Sequence, residues 1–365
     1  MIRSAAIDRR SFVKAAGLTF LAALQPRALM ALERADAVYA SGLRQANGSF
    51  AVATVSERGE IIDQVALPAR SHGMAFSAAT GKTVAFARRP GTYAMIFDPH
   101  GKTKPIVITA AENRHFYGHG AFSPDGRILY ASENDFDGNR GMVGLYDATH
   151  RFERIGEFET YGVGPHDMTV SDDGHMLIIA NGGIETHPDF GRTKLNLGNM
   201  QPSLTLVDAA TGALIEKHTL PAEWAQVSTR HVDVDDSGRI WFACQYEGRR
   251  NDLPPLVGSF AKGEDLRFVD LPEETTRRLA NYVGAIAVNR KDGLVGVTSP
   301  KGGASVTIDA ISGRVLREEI VPEAAGIAPA STGFAVSSYD GDFLGKRSSV
   351  AWDQHIVRIA PSRRV

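Results

Sequence analysis

Four stretches of this chain open in the same way. Ser71-His72-Gly73-Met74-Ala75-Phe76, Gly118-His119-Gly120-Ala121-Phe122, Pro165-His166-Asp167-Met168-Thr169-Val170 and Arg230-His231-Val232-Asp233-Val234 each set a histidine at the start of a short apolar run. In the last three the run leads into Ser123-Pro124-Asp125-Gly126, Ser171-Asp172-Asp173-Gly174 or Asp235-Asp236-Ser237-Gly238. Gly after Asp or Ser accepts the positive φ that a tight hairpin demands, so each pair of runs reads as two antiparallel strands. The second strands are Ile128-Leu129-Tyr130-Ala131, Leu177-Ile178-Ile179-Ala180 and Ile240-Trp241-Phe242-Ala243. Third strands end in an aspartate before another turn, as in Leu145-Tyr146-Asp147, Leu206-Val207-Asp208 and Thr307-Ile308-Asp309. A more polar fourth strand, such as Arg154-Ile155-Gly156-Glu157-Phe158, closes the unit.

Four-stranded units of about 40–65 residues that recur along a chain pack around a common channel. Two copies without the histidine begin near Gly284 and Gly326, and Val38 starts a copy that lacks its innermost strand. The starts at Val38, His72, His119, His166, His231, Gly284 and Gly326 predict an all-β propeller of seven blades, with six as the alternative count. The last copy, ending at 350–359, is expected to lack its outermost strand, so the chain ends would share in closing the ring. Two stretches exceed the period, 181–203 in the fourth blade and 246–256 in the fifth. The first, rich in Gly, Asn, Thr, His and Lys, reads as a polar lid or as a surface excursion.

The domain is expected to span 36–365, because residues 1–35 carry an export signal. Asp8-Arg9-Arg10-Ser11-Phe12-Val13-Lys14 precedes an apolar run from Ala15 to Leu24, which is too short to span a bilayer. The pattern predicts export by the twin-arginine route to the periplasm, with no membrane anchor once the signal is cleaved. A net charge of −2 offers no basic field for nucleic acid. The single cysteine, Cys244, excludes an internal disulfide and any multi-cysteine metal cluster. The sequence has no nucleophile elbow, P-loop or dinucleotide fingerprint.

His72, His119, His166 and His231 occupy one position in four successive blades, ahead of the innermost strand. Equivalent positions in a ring converge on its axis, and converging imidazoles suit zinc, copper or iron. The competing reading is a buckle, in which a Gly-His pair ties each blade together by hydrogen bonds and no ligand is implied. Polar groups end the second strands at comparable places: Arg88, Glu133, Asn134, Asn181 and Gln245. Glu133 could ligate a metal or accept from a histidine N–H. His115 and His187 lie in polar segments near them.

Gly118-His119-Gly120-Ala121-Phe122-Ser123-Pro124-Asp125-Gly126 with Glu133-Asn134-Asp135 resembles the exported proteobacterial domain-of-unknown-function family 1513. The resemblance runs on through Asn181-Gly182-Gly183-Ile184, Thr186-His187-Pro188, Lys194-Leu195-Asn196, Met200-Gln201-Pro202-Ser203-Leu204, Gln245-Tyr246 and Thr298-Ser299-Pro300-Lys301-Gly302-Gly303. Blade position and motif together nominate a ligand-binding funnel of Arg88, Glu133, Asn134, Asn181, His187, Lys194, Arg230 and Gln245, with His72, His119, His166 and His231 as metal ligands. The resemblance implies no settled activity. It implies a setting of periplasmic iron handling, with imelysin-like proteins and a di-haem oxidoreductase as partners. Three functions are open on these grounds: a metal-binding or accessory protein, a metal-dependent hydrolase, lactonase or redox enzyme, and a protein-interaction scaffold.

Overall fold

A computed structural model describes residues 36–101 and 103–360, so the export segment lies outside the described residues. Among them, twenty-eight strands form seven antiparallel sheets of four strands each. The sheets are the blades of a propeller, and their innermost strands neighbour one another in a closed ring.

The burial pattern follows from this stacking. Second strands such as Lys82–Ala87 and Ile240–Tyr246 are buried along almost their whole length, because both faces of each sheet are covered by neighbouring sheets. Outermost strands such as Leu214–Thr219 and Val315–Ile320 are largely exposed and polar. The core therefore lies in wedges between blades. Phe86, Phe116 and Tyr146 fill the space between the second and third blades, and Trp241, Phe242 and Phe260 belong to a larger wedge around the fifth. The hairpin turns recur with the same chemistry: Asp125 accepts from the Ser123 hydroxyl at 2.6 Å and the Arg127 N–H at 3.0 Å. Asp173 does the same at 2.5 and 3.0 Å with Ser171 and His175.

The ring closes differently from the expectation for its last copy. Ala351–Arg358 does not belong to the seventh blade; it pairs with Ala37–Arg44 and supplies the innermost strand missing from the first. The seventh blade keeps four strands of its own, the outer two reduced to Asp342–Phe343 and Lys346–Arg347. Trp352 of the closing strand is buried, with its ring 4.9 Å from that of Phe343. Both long insertions fall between second and third strands, on the same side of the ring. No helix among the described residues is long and apolar enough to cross a membrane.

Candidate metal centre

Each inner strand slips its register where its histidine lies. The pairing with the second strand jumps between Ser71 and Met74, Phe116 and Gly120, Pro165 and Asp167, and Thr229 and His231. Such bulges turn a side chain out of the sheet's alternation, and here they free the imidazoles to face the axis. Glycine makes room for them. Gly118 has φ +114°, and a Cβ there would sit 2.7 Å from His72 Cδ2. At Gly73 a Cβ would lie 2.5 Å from His119 Nδ1.

The four histidines named from the sequence meet at the axis, and a fifth joins them. His355 of the closing strand lies in a similar slip, between the pairs Leu43–Trp352 and Ser41–Ile356. Ring centroids are 4.5 Å apart for His119–His355, 4.9 Å for His72–His119, His166–His231 and His231–His355, and 5.1 Å for His119–His166. Five buried ring nitrogens find no partner among the described residues: Nδ1 of His72 and Nε2 of His119, His166, His231 and His355. Burial, then neighbouring positive groups, holds His72, His166 and His355 well below the ordinary imidazole range. Burial likewise lowers His231, against the pull of Asp167. Neutral rings keep one lone pair each, which is the form that binds metals.

Asp167, adjacent to His166 in sequence, sets two of the tautomers. Its Oδ1 lies 3.0 Å from His119 Nδ1 and its Oδ2 lies 3.4 Å from His231 Nδ1. Burial by itself would raise this carboxyl, but the two imidazoles outweigh it and hold it far below the usual carboxylate range. With Nδ1–H donated to Asp167, His119 and His231 both present Nε2 lone pairs, the carboxylate–histidine arrangement that orients metal ligands. These contacts cross between blades, so they are not within-blade buckles. His166 is turned the other way: the Arg230 guanidinium lies 3.3 Å from its Nδ1, which leaves the ring proton on Nε2. Two sets of three imidazoles have ligand atoms within 4.8 Å of one another, His72–His119–His166 and His119–His231–His355. The tautomers favour the second.

The imidazole layer has a cavity on each side. One, of about 550 Å³, includes His119, His355, Asp167, Asp233 and Arg358 in its lining. Burial pushes Asp233 up to about 6. The other, of about 90 Å³, is lined by His72, His166, Arg88, Arg89, Arg192, Lys194, Arg230, Gln245, Tyr282 and Gln354. Of the eight funnel residues nominated above, Arg88, Lys194, Arg230 and Gln245 meet in this smaller cavity.

The other four are placed elsewhere. The Glu133 carboxylate is buried inside the third blade, accepting from the Tyr146 hydroxyl at 2.6 Å and Arg154 at 2.7 Å, away from the histidines. Asn134 donates to the Thr186 carbonyl at 3.2 Å and lies 3.3 Å from His115 Nε2, which anchors the start of the long insertion. Asn181 donates to the Thr160 carbonyl and the Thr205 hydroxyl. His187 caps the 3-10 turn Pro188–Phe190, and its ring stands 5.1 Å from that of Phe136.

The fold and site define a seven-bladed propeller whose axis is plugged by imidazoles. Residues 65–359 match the family described as "Protein of unknown function (DUF1513)", and the chain belongs to that family. Among curated proteins none matches this sequence. Solved structures share the architecture at low identity. The Kuenenia stuttgartiensis hydrazine synthase is 14% identical, with a TM-score of 0.60 over 81% of this chain and 88% of that one. The Myceliophteria thermophila Cps50 (Swd1) β-propeller domain is 11% identical, with a TM-score of 0.59 over 84% of this chain and 91% of that one. A chain of a nidogen/laminin complex is 12% identical, with a TM-score of 0.51 over 78% and 94%. At these identities the likeness concerns the fold alone.

Proposed function

We propose that this protein is a periplasmic accessory protein that holds a divalent first-row transition metal at the axis, on His119, His231 and His355. The observation that carries this reading is Asp167, which fixes the tautomers of two of the three imidazoles so that each keeps its Nε2 lone pair, buried and unpartnered among the described residues like Nε2 of His355. Three atoms separated by no more than 4.8 Å lie within about 2.8 Å of a common point, so shifts under ~1 Å reach the ~2.0–2.1 Å of metal–imidazole bonds. Neutral nitrogen donors suit iron, copper or zinc and disfavour calcium or magnesium. The larger cavity gives a cation its approach, past Asp167 and Asp233. Twin-arginine export belongs to this reading, and the imelysin-like proteins and di-haem oxidoreductase implied by the family would then supply or receive the metal.

The test is elemental analysis of the mature protein purified from periplasm, repeated after chelator stripping and reloading with Fe(II), Cu(II) or Zn(II). One equivalent per chain is expected. It should disappear in His119→Ala/His231→Ala while the circular dichroism spectrum of the sheets is retained. A wild-type protein that takes up no stoichiometric metal under any of these loadings would end the proposal.

A further inference from the structure

The smaller cavity is bordered by more cations than counter-charges. Among the described residues Arg88 and Arg192 make no ion pair, and Arg89 donates to the Tyr117 hydroxyl at 3.1 Å, with its guanidinium carbon 5.2 Å from the centre of that ring. Arg230 lies 3.5 Å from Glu247, and Lys194 bonds the same carboxylate. Five cations therefore border a space of about 90 Å³ with one carboxylate among them. Two are almost fully buried, Arg230 at 3% and Arg89 at 7% exposure.

Burying a guanidinium without a partner is strongly unfavourable, and clustering like charges adds to that cost. A fold that gathers several has a compensating anion as its natural complement. Three further polar atoms point to a ligand: among the described residues Arg88 Nε, Arg230 Nε and His72 Nδ1 are buried without a partner, and all three residues line the cavity. Crowding is felt in the guanidiniums themselves. Enclosure, then Arg88 and Arg89, pushes Arg192 down to about 10, and burial, then Arg70, lowers Arg88.

We propose that this cavity is an oxyanion site, taking one carboxylate or phosphate group between Arg88, Arg89, Arg192 and Arg230. It goes beyond the metal reading and stands without it, since none of these side chains belongs to the His119–His231–His355 set. Arg192 and Lys194 come from the insertion 181–203, so an occupied site ties that loop to the inner strands.

The experiment is calorimetric titration of chelator-stripped mature protein with sodium phosphate and, separately, sodium oxalate, at ionic strength fixed with chloride. Saturable binding of at least one is expected. It should be weakened about tenfold or more in Arg88→Gln/Arg192→Gln, a variant that breaks no ion pair. That variant should also melt at or above the wild-type temperature in anion-free buffer, because like-charge repulsion is relieved. Tighter binding of phosphate assigns a phosphoryl ligand, and tighter binding of oxalate a carboxylate one. Absence of saturable binding by both anions, or equal binding by the variant, overturns the proposal. Running His119→Ala/His231→Ala alongside separates the two readings, because it should lose metal and keep the anion.

Discussion

At one mouth of the axial channel the guanidiniums of Arg88, Arg89, Arg192 and Arg230 have a single carboxylate, Glu247, within ion-pair reach of any of them. Among the described residues the lining of the other mouth holds one arginine, Arg358, whose two terminal nitrogens are engaged. It donates to the Tyr39 hydroxyl at 3.0 Å and the Pro329 carbonyl at 3.3 Å, and lies 3.5 Å from Glu57. Asp167 and Asp233 line that mouth instead. The imidazoles divide along the same line: His119 and His355 border the carboxylate side, His72 and His166 the arginine side. One layer of aromatic rings thus separates a surface that draws cations from one that draws anions. Charge placed this way gives the channel a direction without any moving part.

The sharpest way to break that comparison is Asp167→Asn. It removes the charge that holds the His119 and His231 tautomers while leaving the arginine mouth intact. Loss of such an outer carboxylate costs about 10–100-fold in metal affinity. Competition with a chelator of known affinity should show a drop in that range, with phosphate or oxalate binding unchanged. If anion binding falls in parallel, the two mouths are one site and their separation is wrong.

The division between what the sequence made legible and what it hid follows the same geometry. The blades could be read because Asp-Gly and Ser-Gly turns punctuate apolar runs at a regular period, and each turn folds by one short-range mechanism. The four histidines were legible because each opens the same short apolar run, and behind three of them an Asp-Gly or Ser-Gly turn fixes their place on an inner strand. His355 was not, since no such turn marks its strand. The signal was the first copy, whose missing inner strand required a distant segment such as 351–358. Asp167 was in plain view beside His166, but its role depends on His119 and His231 from two other blades. Glu133 misleads for a related reason. Side chains alternate along a strand, and its own points between sheets toward Tyr146 and Arg154. Arg192 belongs to an irregular insertion, where no period says which way a residue faces.

A second measurement sharpens the contrast at the engaged arginine. Tyr39, fully buried against Phe343, has its phenol pushed up to about 12, by burial above all, with Glu57 assisting and Arg358 opposing. The unfolded phenol ionises near its ordinary value of 10.0. Between those two values the folded chain keeps a proton that the unfolded chain has lost, so this stabilising contribution is complete below pH 10 and is lost as the pH rises through 12. Two pKa units correspond to about 2.7 kcal/mol at most. Urea denaturation should show wild type losing about 1–2 kcal/mol more than Tyr39→Phe between pH 9.5 and 11. Arg358 retains Glu57 and the Pro329 carbonyl in that variant, so metal affinity at neutral pH should not change. A fall in metal affinity would mean that Arg358 is held in check by Tyr39 alone.

The smallest expected effect probes the other mouth, where one carboxylate stands against five cations. Glu247→Gln removes it and keeps the shape of the side chain. An oxyanion in the cavity would then face more net positive charge, and the Arg230 and Lys194 donors would no longer be shared with Glu247. Affinity for phosphate or oxalate should rise about threefold, the size expected of a partly screened charge, and should fall off more steeply with added salt. The opposite sign is informative: weaker binding would show that Glu247 positions Arg230 and Lys194 and does not compete with the anion. Hydrogen exchange over 181–203 distinguishes the two, because a positioning role predicts that the loop loses protection as the affinity drops.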